Sequence, residues 1–286
     1  MRILLTGSNG QIGWELGRSL PSVGEVFAFD HASLDLAVPD RIVERVRQLK
    51  PDLIVNAAAY TAVDRAESEP ELAARINGDA PRILAEEASR LGAALIHYST
   101  DYVFDGMKRA PYVETDVPTP INIYGKSKLD GERAIRATGC RHLILRTSWV
   151  YGARGANFLL TMLRLAGERP EVRVVDDQIG APTWCRDIAA ATVRLATKIS
   201  AGGIEGLYHL ASSGTTSWHG FAREIFDLRG IRTPLLAIPT AQYATAARRP
   251  ANSALSCESL LSKSGIALPE WAASLRRCML DDLSPR

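Results

Sequence analysis

Three features of the chain predict an α/β fold built on a doubly wound parallel sheet. Short apolar runs alternate with longer helical patterns. Those runs are nearly continuous in apolar residues, as in strands buried on both faces. A glycine-rich turn, TGSNGQIG at 6–13, joins the first run to the first helical stretch. Alternation at this pitch implies parallel strands with helices on both faces, and right-handed crossovers then wind the sheet in both directions.

Taken in order, RILLT (2–6), EVFAFD (25–30), DLIVNAAA (52–59), AALIHYST (93–100) and RHLILRTS (141–148) read as buried strands. The stretch 39–50 reads as a helix. Ile42, Val43, Val46 and Leu49 make one apolar face, and Pro39 suits an early helical position. Residues 70–92 form the next helical stretch, with an interruption expected near NGDAP. Beyond about residue 150 the pattern is less regular. Helices are expected at 157–168 and at 216–230, the latter opening on a Thr or Ser cap and closing at Gly230. Short strands are expected at 171–177 and 206–212, and a terminal helix in LPEWAASLRRCML. The expected organisation is a dinucleotide-binding domain over 1–150, with a segment near 184–212 returning to it. Residues 151–286 form mainly a smaller α/β substrate-binding lobe.

The chain has 286 residues, 46% of them hydrophobic and 23% charged, with a net charge of +2, values of an ordinary globular protein. That charge argues against nucleic acid as a partner, since a dedicated binder needs clustered positive charge. The longest uncharged apolar stretch, near 53–63, is far short of a membrane span, and the N-terminus reads as a strand and not a signal peptide. Cys140, Cys185, Cys257 and Cys278 form no C-x-x-C pair, so reduced thiols in a cytoplasmic protein are expected.

The glycine turn carries the first chemical signal. Gly7 can make the tight turn, Gly10 lets a pyrophosphate approach the backbone, and Gly13 lets the helix pack close to the sheet. Asp30 ends the second strand, 20 residues after Gly10. An acid there accepts hydrogen bonds from an adenosine ribose and favours NAD over its phosphorylated form. Small residues in NAAAYTAVD (56–64) let a cofactor lie across the strand ends. Ser99, Thr100 and Asp101 leave the fourth strand where the sheet lines a crevice. YGKSK (124–128) follows, with Tyr124 and Lys128 on one helical face, about 5–6 Å apart at Cβ. A phenol normally loses its proton near pH 10, and an adjacent ammonium is expected to lower that value. Tyr124 can then donate a proton to an alkoxide.

T-G-x-x-G-x-x-G with Y-x-x-x-K is similar to the signature of the extended short-chain dehydrogenase/reductase superfamily. VNAAAYTAVDRAESEP, HYSTDYVFDG, RTSWVYG, DQIGAPT, GLYHLASSGTTSW and ARRPANSAL resemble the dTDP-4-dehydrorhamnose reductase family across nearly the whole chain. The resemblance implies reduction of the 4-keto group of dTDP-4-dehydro-L-rhamnose with NADPH or NADH. It implies that Gly10, Gln11 and Ile12 touch the pyrophosphate, Asp30 the adenosine ribose, and Asp35 and Leu36 the adenine. Ala59, Tyr60, Thr61 and Tyr98 would line the cofactor cleft. Thr100 would replace the superfamily's catalytic serine and, with Asp101, meet the substrate. Tyr124 would be the proton donor and Lys128 its partner. Trp149 would pack on the sugar nucleotide, while Arg248 and Arg249 would hold the diphosphate.

Some members are magnesium-linked dimers held through glutamates. Glu15 matches one such position, but Arg186 stands where another glutamate is expected, which argues against a bridging metal. A homodimer of another kind stays open. Two rivals share the fold: a sugar-nucleotide dehydratase or epimerase, and a non-catalytic NADP-binding regulatory subunit. Thr100-Asp101-Tyr102 lacks the glutamate that dehydratases use, and intact Thr100, Tyr124 and Lys128 weigh against the regulatory subunit.

Overall fold

The computed structural model describes residues 1–283. The first half runs β1 (Arg2–Thr6), α1 (Gln11–Ser19), β2 (Glu25–Phe29), α2 (Pro39–Leu49) and β3 (Leu53–Asn56). The short helices α3 (Val63–Ala66) and α4 (Pro70–Ala74) lead to α5 (Ala80–Leu91), followed by β4 (Ala94–Thr100), α6 (Ile123–Ala137) and β5 (Arg141–Thr147). The second half holds β6 (Val150–Tyr151), α7 (Phe158–Glu168), β7 (Val172–Val175), β8 (Ile179–Gly180), β9 (Thr183–Trp184), α8 (Cys185–Ser200) and β10 (Gly206–His209). It ends with β11 (Thr216–Ser217), α9 (Trp218–Arg229), β12 (Leu235–Ile238), α10 (Glu258–Ser264) and α11 (Trp271–Asp281).

The central sheet has six strands in the order β10-β5-β4-β3-β1-β2, all parallel. Order reverses on either side of β1 and β3, so crossovers leave in opposite directions and open a crevice at the strand carboxyl ends. One apolar layer joins Ile3, Leu5, Val55 and Ile96 to Ile188, Leu195 and Ile199 of α8. The other joins Leu4, Ile54 and Leu95 to Ile42, Val46 and Leu84 of α2 and α5. Truncating one such Leu or Ile to Ala costs about 2–5 kcal/mol. A third cluster gathers Tyr151, Trp184, Phe221 and Leu275 around the short ladders β7–β12 and β6–β9.

The stretch 70–92 differs from expectation in kind. The chain does not break at NGDAP but widens into a π turn over Arg75–Asp79, and α5 follows from Ala80 with Pro81 in its first turn. The wide turn arises because buried Asn77 is tied to its surroundings: its amide donates to the Tyr60 carbonyl and to Ser127 Oγ, both at 3.0 Å. A Cβ on Gly131 would lie 2.1 Å from the Asn77 carbonyl oxygen, so α6 docks against this turn. The helix carrying YGKSK is thereby set beside the crevice. β3 is also shorter than expected, because Ala57–Ala59 leave the sheet to line that crevice.

Candidate active site

A cleft of about 740 Å³ lies over the carboxyl ends of the central strands. Its phosphate end is the glycine turn. Gly7 has φ +71°, and a Cβ there would meet Ala58 backbone atoms at 2.7 Å. A Cβ on Gly13 would lie 2.0 Å from the Gly7 carbonyl oxygen, so only glycine lets α1 start this close to β1. No side chain caps α1 at Gly10. Gly10, Gln11 and Ile12 line the cleft, leaving first-turn N–H groups for an anion.

Asp30, Asp35 and Leu36 line the far end. The Asp30 carboxylate accepts from Asn9 Nδ2 at 2.9 Å and from Ser33 Oγ at 2.6 Å. The Ser33 bonds hold it below the ordinary carboxylate value, so negative charge stays at this end. Ala59, Thr61 and Tyr98 line the middle. The Tyr98 hydroxyl faces away, 2.6 Å from Thr192 Oγ1 on α8.

Thr100, Asp101, Tyr124 and Lys128 meet at the other end, with Trp149 beside them. Thr100 Oγ1 donates to Asp101 Oδ1 at 3.0 Å and accepts from the Tyr102 N–H at 3.1 Å. Burial pushes the Asp101 carboxyl up to about 7, with the Ser253 and then the Thr100 hydroxyl opposing it. Asp101 Oδ2 and the cleft-lining Thr147 Oγ1 are buried without hydrogen-bond partners. Such atoms fit a cleft that receives polar groups from a ligand.

Tyr124 departs from expectation. Burial pushes its phenol up to about 12, Asp101 adds to the rise, and only the Thr100 hydroxyl opposes it. Lys128 does not lower it, because the amine turns to the Tyr98 carbonyl at 2.6 Å and to His97 Nε2 at 3.2 Å. Burial brings Lys128 itself down to about 8, against the pull of Glu132. Tyr124 is therefore a protonated phenol at neutral pH, the state a proton donor needs. Beneath it, Glu132 and Arg146 form a buried two-pronged ion pair with bonds of 2.8 and 2.6 Å, joined by Ser99 Oγ at 2.5 Å.

Three expected residues do not line the cleft. The Tyr60 hydroxyl donates to Glu69 at 2.6 Å. Arg248 is exposed, and its carbonyl accepts from Asn122. Arg249 is engaged by Asp64 at 2.7 Å. In compensation, the cleft contains Trp218, which lies in GLYHLASSGTTSW and is expected only as part of the 216–230 helix. It stacks on Trp149 with centroids 3.5 Å apart and planes at 4°, and Trp149 holds a left-handed φ of 45° to do so. No local signal links two tryptophans so far apart in sequence. Away from the cleft, Arg186 pairs with Glu15 and with Asp282. Among the described residues, no group of three or more His, Cys, Asp or Glu is placed to hold a metal ion.

The model of the RmlD substrate binding domain family matches residues 1–284. The chain belongs to that family. It is 50% identical to the dTDP-4-dehydrorhamnose reductase of Burkholderia thailandensis, over 99% of this chain and 100% of that protein. The crystal structure of dTDP-4-dehydrorhamnose reductase from Bacillus anthracis in complex with NADP superposes with a TM-score of 0.92. The two are 37% identical, over 98% of this chain and 99% of that one. The crystal structure of a dTDP-4-dehydrorhamnose reductase from Clostridium acetobutylicum gives 0.94 at 37% identity over the full length of both chains.

Proposed function

We propose that the chain is an NAD(P)H-dependent reductase that converts dTDP-4-dehydro-L-rhamnose to dTDP-L-rhamnose. One observation carries the reading: Thr100, Tyr124 and Lys128 share one end of a cleft that also takes in an uncapped helix start beside a glycine turn. The fit to a dinucleotide rests on glycines where a Cβ would clash and on unpaired polar atoms at the opposite end.

When bound, the reduced nicotinamide supplies the hydride for sugar C4. The protein's residues do the rest. Gly10, Gln11 and Ile12 offer backbone N–H groups to the pyrophosphate. Asp30 accepts from ribose hydroxyls, and its charge opposes a phosphate there, so NADH is accepted. Thr100 donates to the ketone oxygen as negative charge develops on it. Tyr124, kept protonated by burial, gives its phenolic proton to that oxygen as the C–O bond becomes an alcohol. Lys128 holds cofactor ribose hydroxyls. Asp101 and Trp149 orient the sugar nucleotide; holding both reactants in one cleft removes much of the entropic barrier.

In this reading residues 1–150, with 184–212, bind the dinucleotide, and most of the remainder binds the sugar nucleotide. No helix among the described residues is long and apolar enough to cross a membrane. A water-borne substrate and four free thiols fit a cytoplasmic enzyme. Oxidation of NADPH or NADH that depends on the keto sugar tests the reaction. Cofactor binding without oxidation would favour the regulatory subunit.

A further inference from the structure

Three polar side chains form a row across the central sheet. Thr6, Asn56 and His97 are in register on β1, β3 and β4, and all three are buried. Buried polar groups are tolerated when their hydrogen bonds are made. Here the bonds run along the row. Thr6 Oγ1 donates to Asn56 Oδ1 at 2.7 Å, and Asn56 Nδ2 lies 3.0 Å from His97 Nδ1. The other ring nitrogen faces Lys128 Nζ at 3.2 Å.

The direction of these bonds has a consequence for the lysine. An amide nitrogen only donates, so His97 Nδ1 accepts. A neutral imidazole then carries its proton on Nε2, aimed at Lys128. An ammonium has no lone pair to receive it. Lys128 can meet this arrangement only as a neutral amine, accepting from Nε2–H and donating to the Tyr98 carbonyl. With an ammonium, every bond along the row reverses, while the Tyr98 carbonyl still accepts from the lysine. Nε2 accepts from Lys128, the ring proton sits on Nδ1 and goes to Asn56 Oδ1, the amide is turned over, and Thr6 Oγ1 accepts. The two arrangements differ by one proton, taken from solvent through the cleft that Lys128 lines.

We propose that Thr6, Asn56 and His97 are positioning residues that couple the charge of Lys128 to the tautomer of His97. The inference rests on the reductase reading for its catalytic meaning, since in that reading Lys128 holds the cofactor ribose in the cleft it shares with Tyr124. Burial fits both arrangements, holding His97 neutral well below its ordinary value. The other ionisable groups around the lysine are few. Tyr124 and Glu132 come from its own helix, and Asp101 from the loop after β4. Glu132 is itself paired with Arg146 of β5. His97 comes from β4.

The test is a pH titration of the imidazole nitrogens by ¹⁵N NMR on the full chain without ligands. The chain has five histidines, and His97→Gln assigns the signal. His97 should stay neutral and exchange its Nδ1–H form for the Nε2–H form as pH rises, with a midpoint near the Lys128 value of about 8. One unchanging tautomer from about pH 6 to about pH 10, or an ordinary imidazolium titration near pH 6.5, overturns the proposal. Asn56→Asp, whose carboxylate only accepts, should lock the Nδ1–H form. It should also move the alkaline fall of kcat upward by about one pH unit, the scale of one charge-assisted hydrogen bond. A locked tautomer with an unmoved kcat profile would remove the catalytic meaning. If Asn56→Asp does not fold, the parent protein's titration alone decides. The titration needs no substrate, so absence of keto-sugar reduction would refute the reductase reading and leave the tautomer result standing.

Discussion

Gly125, the second residue of YGKSK, is the most sensitive small residue near the chemistry. In an ordinary helix, Gly→Ala stabilises by up to about 1 kcal/mol. Here an added Cβ would lie 2.1 Å from the Tyr102 carbonyl oxygen and 3.1 Å from Pro120 Cβ, where ordinary contact begins at 3.4 Å. The helix or the turn must therefore give way by more than 1 Å. The turn is pinned by the Tyr102 N–H on Thr100 Oγ1 and by the Phe104 N–H on the Asp101 carbonyl. So α6 moves, and Tyr124 moves with it, away from Thr100. A shift of about 1 Å at reacting groups costs on the order of 10²-fold in rate, and overpacking costs about 1–3 kcal/mol in stability. Gly125→Ala should lower kcat by that factor in steady-state oxidation of NAD(P)H with the keto sugar. The cofactor KM should change less, because the glycine turn at 7–12 lies in another part of the cleft. Gly167→Ala is the control: it sits exposed on α7 with nothing within 4 Å of the added atom, and its kinetics should match the parent. A folded Gly125→Ala protein with unchanged kcat would refute the steric argument.

Three further outcomes are expected. Asp30→Asn should raise kcat/KM with NADPH relative to NADH, since it removes a carboxylate held ionised by Ser33; an unmoved ratio would place cofactor choice elsewhere. Gly180→Ala would put a Cβ 2.4 Å from the Trp149 ring and force the indole off Trp218, so the sugar-nucleotide KM should rise while the cofactor KM holds. Asp101 has a folded-state value of about 7, above its ordinary 3.8, so between these values the folded protein binds more protons than the unfolded chain. Its contribution to stability is greatest below the lower value, falls as pH rises, and levels off above the higher. Denaturant unfolding of Asp101→Asn should show a gain over the parent that grows by about 2–4 kcal/mol across that window.

Much of the frame was legible in the sequence because its signals are local. β1, β2, β4 and β5 begin and end within a residue of expectation, but β2 is not the buried strand expected: at the sheet edge, with β1 as its one strand neighbour, its residues are half-buried or exposed. Gly7, Gly10, Asp30, Tyr124 and Lys128 sit in the cleft because each is tied to a strand end or a helix start by short-range spacing. What escaped depends on partners distant in the chain. Arg249 is bound by Asp64, 185 positions away, so its charge is not free for a diphosphate. Trp149 finds Trp218 across the cleft. The π turn at 75–79 follows from Asn77 reaching Tyr60 and Ser127, which no periodicity reports. Burial reversed the expected direction at Tyr124, and burial depends on the whole fold.

The central claim is that Tyr124 protonates the reduced ketone. The direct measurement is NAD(P)H oxidation with dTDP-4-dehydro-L-rhamnose by the parent protein and by Tyr124→Phe, with cofactor affinity measured on both. The parent should oxidise the cofactor only when the keto sugar is present. The phenylalanine variant should bind cofactor nearly as well and turn over almost nothing. Full turnover by that variant would contradict the account.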